Sequence, residues 1–171
     1  VVPRLGLVTL HCFIALKLNY DRIVRKIKYI VVHCTAGPQH QTLESVQAHW
    51  RSLGWRSPGY HYMITAGGTV LTIATEDLIT NGVKGFNRES IHIAYFGGVD
   101  FSGKPIDNRT FAQKASLKKL LTELKKKYPT ATIQGHRDFS PDLDGDGKIE
   151  FNEWIKYCPC FDAKEEYSDL S

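Results

Sequence analysis

The sequence predicts a single α/β (α+β) domain, a β-sheet flanked by helices. Three observations carry that reading. Residues 28–34, Lys28-Tyr29-Ile30-Val31-Val32-His33-Cys34, are β-branched and almost wholly apolar, the pattern of a strand buried on both faces. Residues 60–64 and 69–73 are two short strand-like runs joined by Ala66-Gly67-Gly68, a hairpin signature. Residues 42–53 and 110–128 repeat apolar side chains at helical spacing. A length of 171 residues suits one domain, and 42% hydrophobic with 23% charged residues argues against a disordered chain.

In chain order, residues 1–25 read as an N-terminal extension. Its apolar run from Leu5 to Leu16 is interrupted by Thr9 and His11. It is shorter than the about 20 residues a spanning helix needs, and no small-residue cleavage site follows, so neither a membrane span nor a leader is expected. His33 closes the first strand at its C-terminal end, where ligand sites of open α/β sheets gather; a lone histidine there is more often a satisfied polar residue than a ligand. Cys34 alternates to the other face and reads as buried. Thr42 is placed to cap the first helix, Leu43, Val46, Trp50 and Leu53 form its apolar stripe, and Gly54 is placed to end it. His49 falls at the edge of that stripe. Pro58-Gly59 sets Tyr60 at a loop mouth, as a rim aromatic.

Residues 81–87 form a glycine-bearing loop. Residues 90–96 are a further strand, with His92 on the face opposite Ile91 and Ile93 and read as structural. Thr110 and Gln113 make a capping box for a long helix whose apolar face is Leu117, Leu120, Leu121, Leu124 and Tyr128. Lys118, Lys119, Lys125, Lys126 and Lys127 lie mostly off that face. No aromatic platform accompanies them, so they read as a solvated surface and no nucleic-acid partner is expected. The net charge of +4 suits polyanionic surfaces in general. Residues 131–134 are strand-like and lead into His136. Residues 163–171 read as a polar, frayed tail.

The last fifth of the chain concentrates metal-binding residue types. Four cysteines, Cys12, Cys34, Cys158 and Cys160, are too few to staple a chain of this length, which points to metal binding or burial. A catalytic zinc takes three N, S or O ligands and leaves a fourth position for water. Two neutral histidines and one thiolate would leave the centre with about one positive charge. With seven histidines and four cysteines, residue type alone does not choose the set. Between His136 and Cys158, the residues Asp142, Asp144, Asp146, Gly147, Lys148, Glu150 and Glu153 fall on the spacing of an EF-hand loop, Lys148 supplying a backbone carbonyl. Calcium is therefore expected there, bracing the loop and positioning Cys158; a solvated acidic turn is the plainer alternative.

Several motifs, in one order, resemble the zinc-dependent N-acetylmuramoyl-L-alanine amidases, the family of phage lysozyme-type endolysins and peptidoglycan recognition proteins. They are Val32-His33-Cys34-Thr35-Ala36, Gly54-Trp55, Gly59-Tyr60-His61-Tyr62, Gly67-Gly68-Thr69-Val70, Lys84-Gly85-Phe86-Asn87, Ser90-Ile91, Gly97-Gly98, Gly135-His136-Arg137-Asp138 and Cys158-Pro159-Cys160-Phe161-Asp162. The similarity runs from about residue 26 to residue 162. It implies an amidase domain over that span, with a mixed central sheet. It also implies zinc held by His33, His136 and Cys158, with Tyr60 as catalytic tyrosine and Lys156 as a lysine that stabilises the transition state. Cys160 is the rival for the cysteine ligand. Two departures stand out: phage relatives often carry a histidine where this chain has Gly82, and the segment before Cys158 is longer, so Lys156 aligns only when counted back from that cysteine.

The expected reaction is hydrolysis of the amide between N-acetylmuramic acid and L-alanine, by a monomer acting on peptidoglycan in the bacterial cell wall, whether released as a lysin or exported. The alternatives are a non-catalytic peptidoglycan-binding module on the same fold, a calcium-responsive binding protein in which His33 and His136 are structural, and a nucleic-acid binder using the lysine face.

Overall fold

The computed structural model describes residues 25–170, so the expected extension lies outside it except for Arg25. Strand β1 (Tyr29–Cys34) is followed by helix α1 (Leu43–Ser52), then β2 (Tyr62–Ile64) and β3 (Val70–Thr72). Next come β4 (Ser90–Tyr95), the long helix α2 (Phe111–Lys127), β5 (Thr132–Gly135) and a short α3 (Ala163–Glu166). One mixed sheet runs in the order β3-β2-β4-β1-β5, antiparallel only between β2 and β3. No described helix is long and apolar enough to cross a membrane.

Period-2 alternation sorts the strands between two cores. Ile30, Val32 and Cys34 of β1, with Ile91, Ile93 and Tyr95 of β4, pack under α2 against Leu117, Leu121 and Leu124. On the other face Met63, Ala94 and Phe96 meet Val46 and Trp50 of α1. His33 and His92 therefore share the α1 side of the sheet.

The caps are those the sequence indicates. Thr42 accepts from Ser45 N–H, and the Thr110–Gln113 box closes α2. Gln113, fully buried, also donates its amide to the carbonyls of Ile64 and Phe96, tying α2 to two strand ends. Leu53 departs from expectation: it is the cap beyond the last turn of α1 and is 50% exposed. The C-terminal segment also departs. Residues 163–170 are ordered against the domain because Tyr167 is buried in the α2-side core and its hydroxyl accepts from Arg109 Nη1 at 3.1 Å. Arg109, its guanidinium fully desolvated, also pairs with Asp107 and Glu166 and lies 3.2 Å over the Phe161 ring.

Candidate active site

Three elements bring donor atoms to the C-terminal edge of the sheet. His33 ends β1. His136 is the first residue after β5, in a tight turn over His136–Phe139. Asp138 holds that turn by accepting from Gly135 N–H at 2.7 Å. Cys158 lies on a later turn bound to the first: Arg137 N–H donates to the Cys158 carbonyl at 2.8 Å, and the Tyr95 hydroxyl donates to the Pro159 carbonyl at 2.7 Å.

His33, His136 and Cys158 form one group whose donor atoms all lie within 4.8 Å of one another. His33 Nδ1 is 3.2 Å from His136 Nδ1 and 3.6 Å from Cys158 Sγ. A tetrahedral zinc with its usual bond lengths sets two nitrogens about 3.4 Å apart and nitrogen and sulfur about 3.6 Å apart. The spacing fits that ion.

The electrostatics suit the donors too. Burial, then the His136, His92 and Lys156 charges, hold the His33 pKa well below the usual histidine value. Burial and then Lys156 push His136 down to about 4. Both rings are thus neutral near pH 7, with lone pairs to give. The Cys34 N–H donates to Cys158 Sγ at 3.3 Å, which holds that sulfur in place. Cys160 is directed elsewhere: its Sγ lies 3.3 Å from the Gly98 carbonyl and 3.8 Å from Cys34 Sγ. Cys158, not Cys160, joins the histidines.

The Tyr60 ring stands 5.0 Å from the His33 ring and 5.7 Å from Trp50. Gly59 makes this placement feasible, since a Cβ there would come within 3.0 Å of the Trp50 indole. Burial, then the Cys158 and Cys34 thiols, raise the Tyr60 pKa, so the hydroxyl keeps its proton. Lys156 is exposed and, with His136, Trp55, Lys84, Phe139 and Ile155, lines a groove of about 470 Å³.

The acidic loop is gathered only in part. Asp142, Asp144 and Asp146 form a second donor group, exposed to solvent. Glu150 and Glu153 stand outside it. Glu153 is buried and both of its oxygens are engaged, one by Leu143 N–H at 2.6 Å and one by Glu150 N–H at 2.9 Å. The expected six-residue calcium set therefore comes down to three side chains, because the last carboxylate caps the loop's own backbone.

Sequence reasoning passed over His92. It is fully buried with Nδ1 at 3.1 Å from His33 Nε2. The signal was present: alternation on the two strands sets both rings on one sheet face.

Fold and site together define a mixed α/β domain with a His–His–Cys donor set, of the kind that holds a metal ion, beside an open groove. The N-acetylmuramoyl-L-alanine amidase family profile matches residues 24–150. The endolysin of Klebsiella phage KP32 is 34% identical over 137 residues, spanning 79% of this chain and 82% of that one. An uncharacterised Haemophilus influenzae protein is 55% identical over 81 residues, 47% of this chain and 70% of its own. Among solved structures, the Ph2119 endolysin from a Thermus scotoductus bacteriophage superposes with a TM-score of 0.60 at 31% identity, covering 78% of this chain and 77% of that one. The chain belongs to the N-acetylmuramoyl-L-alanine amidase family.

Proposed function

We propose that the chain cleaves the amide between the lactyl group of N-acetylmuramic acid and L-alanine of the peptidoglycan stem peptide, with zinc held by His33, His136 and Cys158. Zinc, when bound, supplies Lewis acidity to water and to the scissile carbonyl. The neutral rings and Cys158, whose sulfur accepts from Cys34 N–H, would hold it. Tyr60, kept protonated, is an O–H donor beside the site for the developing oxyanion or for proton transfer. Lys156 adds positive charge at the groove rim, and the walls formed by Trp55, Phe139 and Ile155 hold glycan and peptide. The working unit is a monomeric domain of residues 26–162 braced by the segment after it, acting on the cell wall as a released lysin or an exported enzyme.

The observation that carries this reading is the spacing of the three donors, which fits a tetrahedral zinc. Zinc content measured together with the mass of peptide released from cell walls tests it. Turnover should vanish in chelator and return with zinc. A zinc-free protein with full turnover overturns the metal reading, and binding to cell walls without release favours the non-catalytic module.

For the acidic loop, calcium on Asp142, Asp144 and Asp146 is a separate part of the proposal and enters no chemical step. A lower melting temperature after selective calcium removal, zinc being retained, supports it; an unchanged one removes it.

A further inference from the structure

Nothing in the proposed chemistry so far uses His92, yet its ring sits at the back of the site. On β4 it pairs in register with Val31, two residues before His33 and so on the same face of the sheet. Its Nδ1 lies 3.1 Å from His33 Nε2, and its Nε2 has no hydrogen-bond partner among the described residues. Among those residues the contact to His33 is thus the ring's one hydrogen bond. The backbone below is fixed, since His92 N–H donates to His61 Nδ1 at 3.0 Å, and the two rings stack at 5.9 Å.

His33 turns Nδ1 toward His136 and Cys158 and Nε2 toward His92. A neutral imidazole that gives its Nδ1 lone pair to a metal carries its proton on Nε2 and is best held by an acceptor there. We infer that His92 is a positioning residue for the metal site, its Nδ1 accepting the Nε2–H of His33 and so fixing the ring and tautomer that present Nδ1. The inference rests on the zinc reading above.

Gly82 belongs to the same device. A Cβ at that position would lie 2.3 Å from His92 Nδ1 and 2.4 Å from its Cγ. A side chain at position 82 and the His92 ring in its present place exclude each other, so the departure at Gly82 noted in the sequence is the counterpart of His92. A leucine at 92 would fill similar space without the acceptor. An asparagine would set its amide oxygen where Nδ1 now stands.

The test compares the wild-type protein with His92→Leu, His92→Asn and Gly82→Ala, each checked for folding by circular dichroism. Zinc affinity is read by chelator competition. His92→Leu should lose about 10–100-fold in affinity, the range for loss of a ligand's supporting hydrogen bond. His92→Asn should keep wild-type affinity, and Gly82→Ala, which displaces the ring without touching a ligand, should fall with the leucine variant. Long-range nitrogen–proton spectra of the metal-free protein should place the His33 ring proton on Nε2 in the wild type and the asparagine variant, and show a mixture of the two neutral tautomers in the leucine variant. Equal zinc affinity in His92→Leu and wild type overturns the inference, as does an asparagine variant as weak as the leucine one. A wild type that takes up no zinc sinks the zinc reading instead, and the spectra still decide whether His92 holds His33.

Discussion

Gly135 offers a direct test of how closely the turns that carry His136 and Cys158 must approach. It immediately precedes His136, and its φ of −85° is open to any residue, so a substitution there carries no backbone strain. A Cβ on Gly135 would lie 2.4 Å from Pro159 Cδ and 3.1 Å from its Cγ, where ordinary contact begins near 3.4 Å. In Gly135→Ala the two turns must therefore part by about 1 Å. Pro159 is bonded to Cys158, so that shift passes to the sulfur, whereas metal–ligand distances hold to about 0.2 Å. Overpacking of this kind costs about 1–3 kcal/mol of stability, and a misplacement of about 1 Å costs about 100-fold in rate. Urea unfolding of the metal-free protein reads the first, and zinc affinity with peptide release from cell walls reads the second. If Gly135→Ala binds zinc and turns over as the wild type does, the turns are not held at the separation the site requires, and the packing argument fails.

Other perturbations separate neighbouring groups. Cys158→Ser should abolish zinc uptake and lower turnover at least about 100-fold, whereas Cys160→Ser, whose sulfur faces Gly98 and Cys34, should keep both; loss of zinc from the second variant would reassign the ligand. Arg109→Met should cost about 3 kcal/mol in urea unfolding, near the low end for a broken buried ion pair, because its carboxylate partners are partly exposed and can rehydrate. Acid should weaken the fold through His61, which burial pushes down to about 4. The unfolded chain takes up that proton below about pH 6.5 and the native state does not, so this contribution is flat above that pH and amounts to a loss of about 3 kcal/mol by pH 4. His61→Gln should flatten that part of the stability profile, and an unchanged slope would show that the ring is not held neutral.

What the sequence showed and what it hid divide along a physical line. The caps at Thr42 and Thr110 were legible because each is marked by its immediate neighbours, a spacing of three residues; a strand end and glycine turns placed His33, His136 and Tyr60, but only the family resemblance singled them out. Arg109 and Tyr167 were hidden because a tyrosine in a polar tail shows no periodicity, and the cation that binds its hydroxyl lies 58 residues earlier. The calcium spacing was legible, but it could not show that Glu153 turns back onto Leu143 and Glu150. His92 is the sharpest case. Its face could be read from alternation, as could that of His33; what could not be read was that β1 and β4 are neighbours, since the hairpin of β2 and β3 separates them in the chain. Once that parallel register is set, Val31 opposite His92 brings the second ring beside the first. A slip of one residue would send His92 into the core under α2 and put Ile91 or Ile93 behind His33. The strand register is thus part of the proposed metal site: the same apolar alternation that fixes the sheet's two cores also sets the His92 ring against His33 Nε2, leaving Nδ1 toward His136 and Cys158.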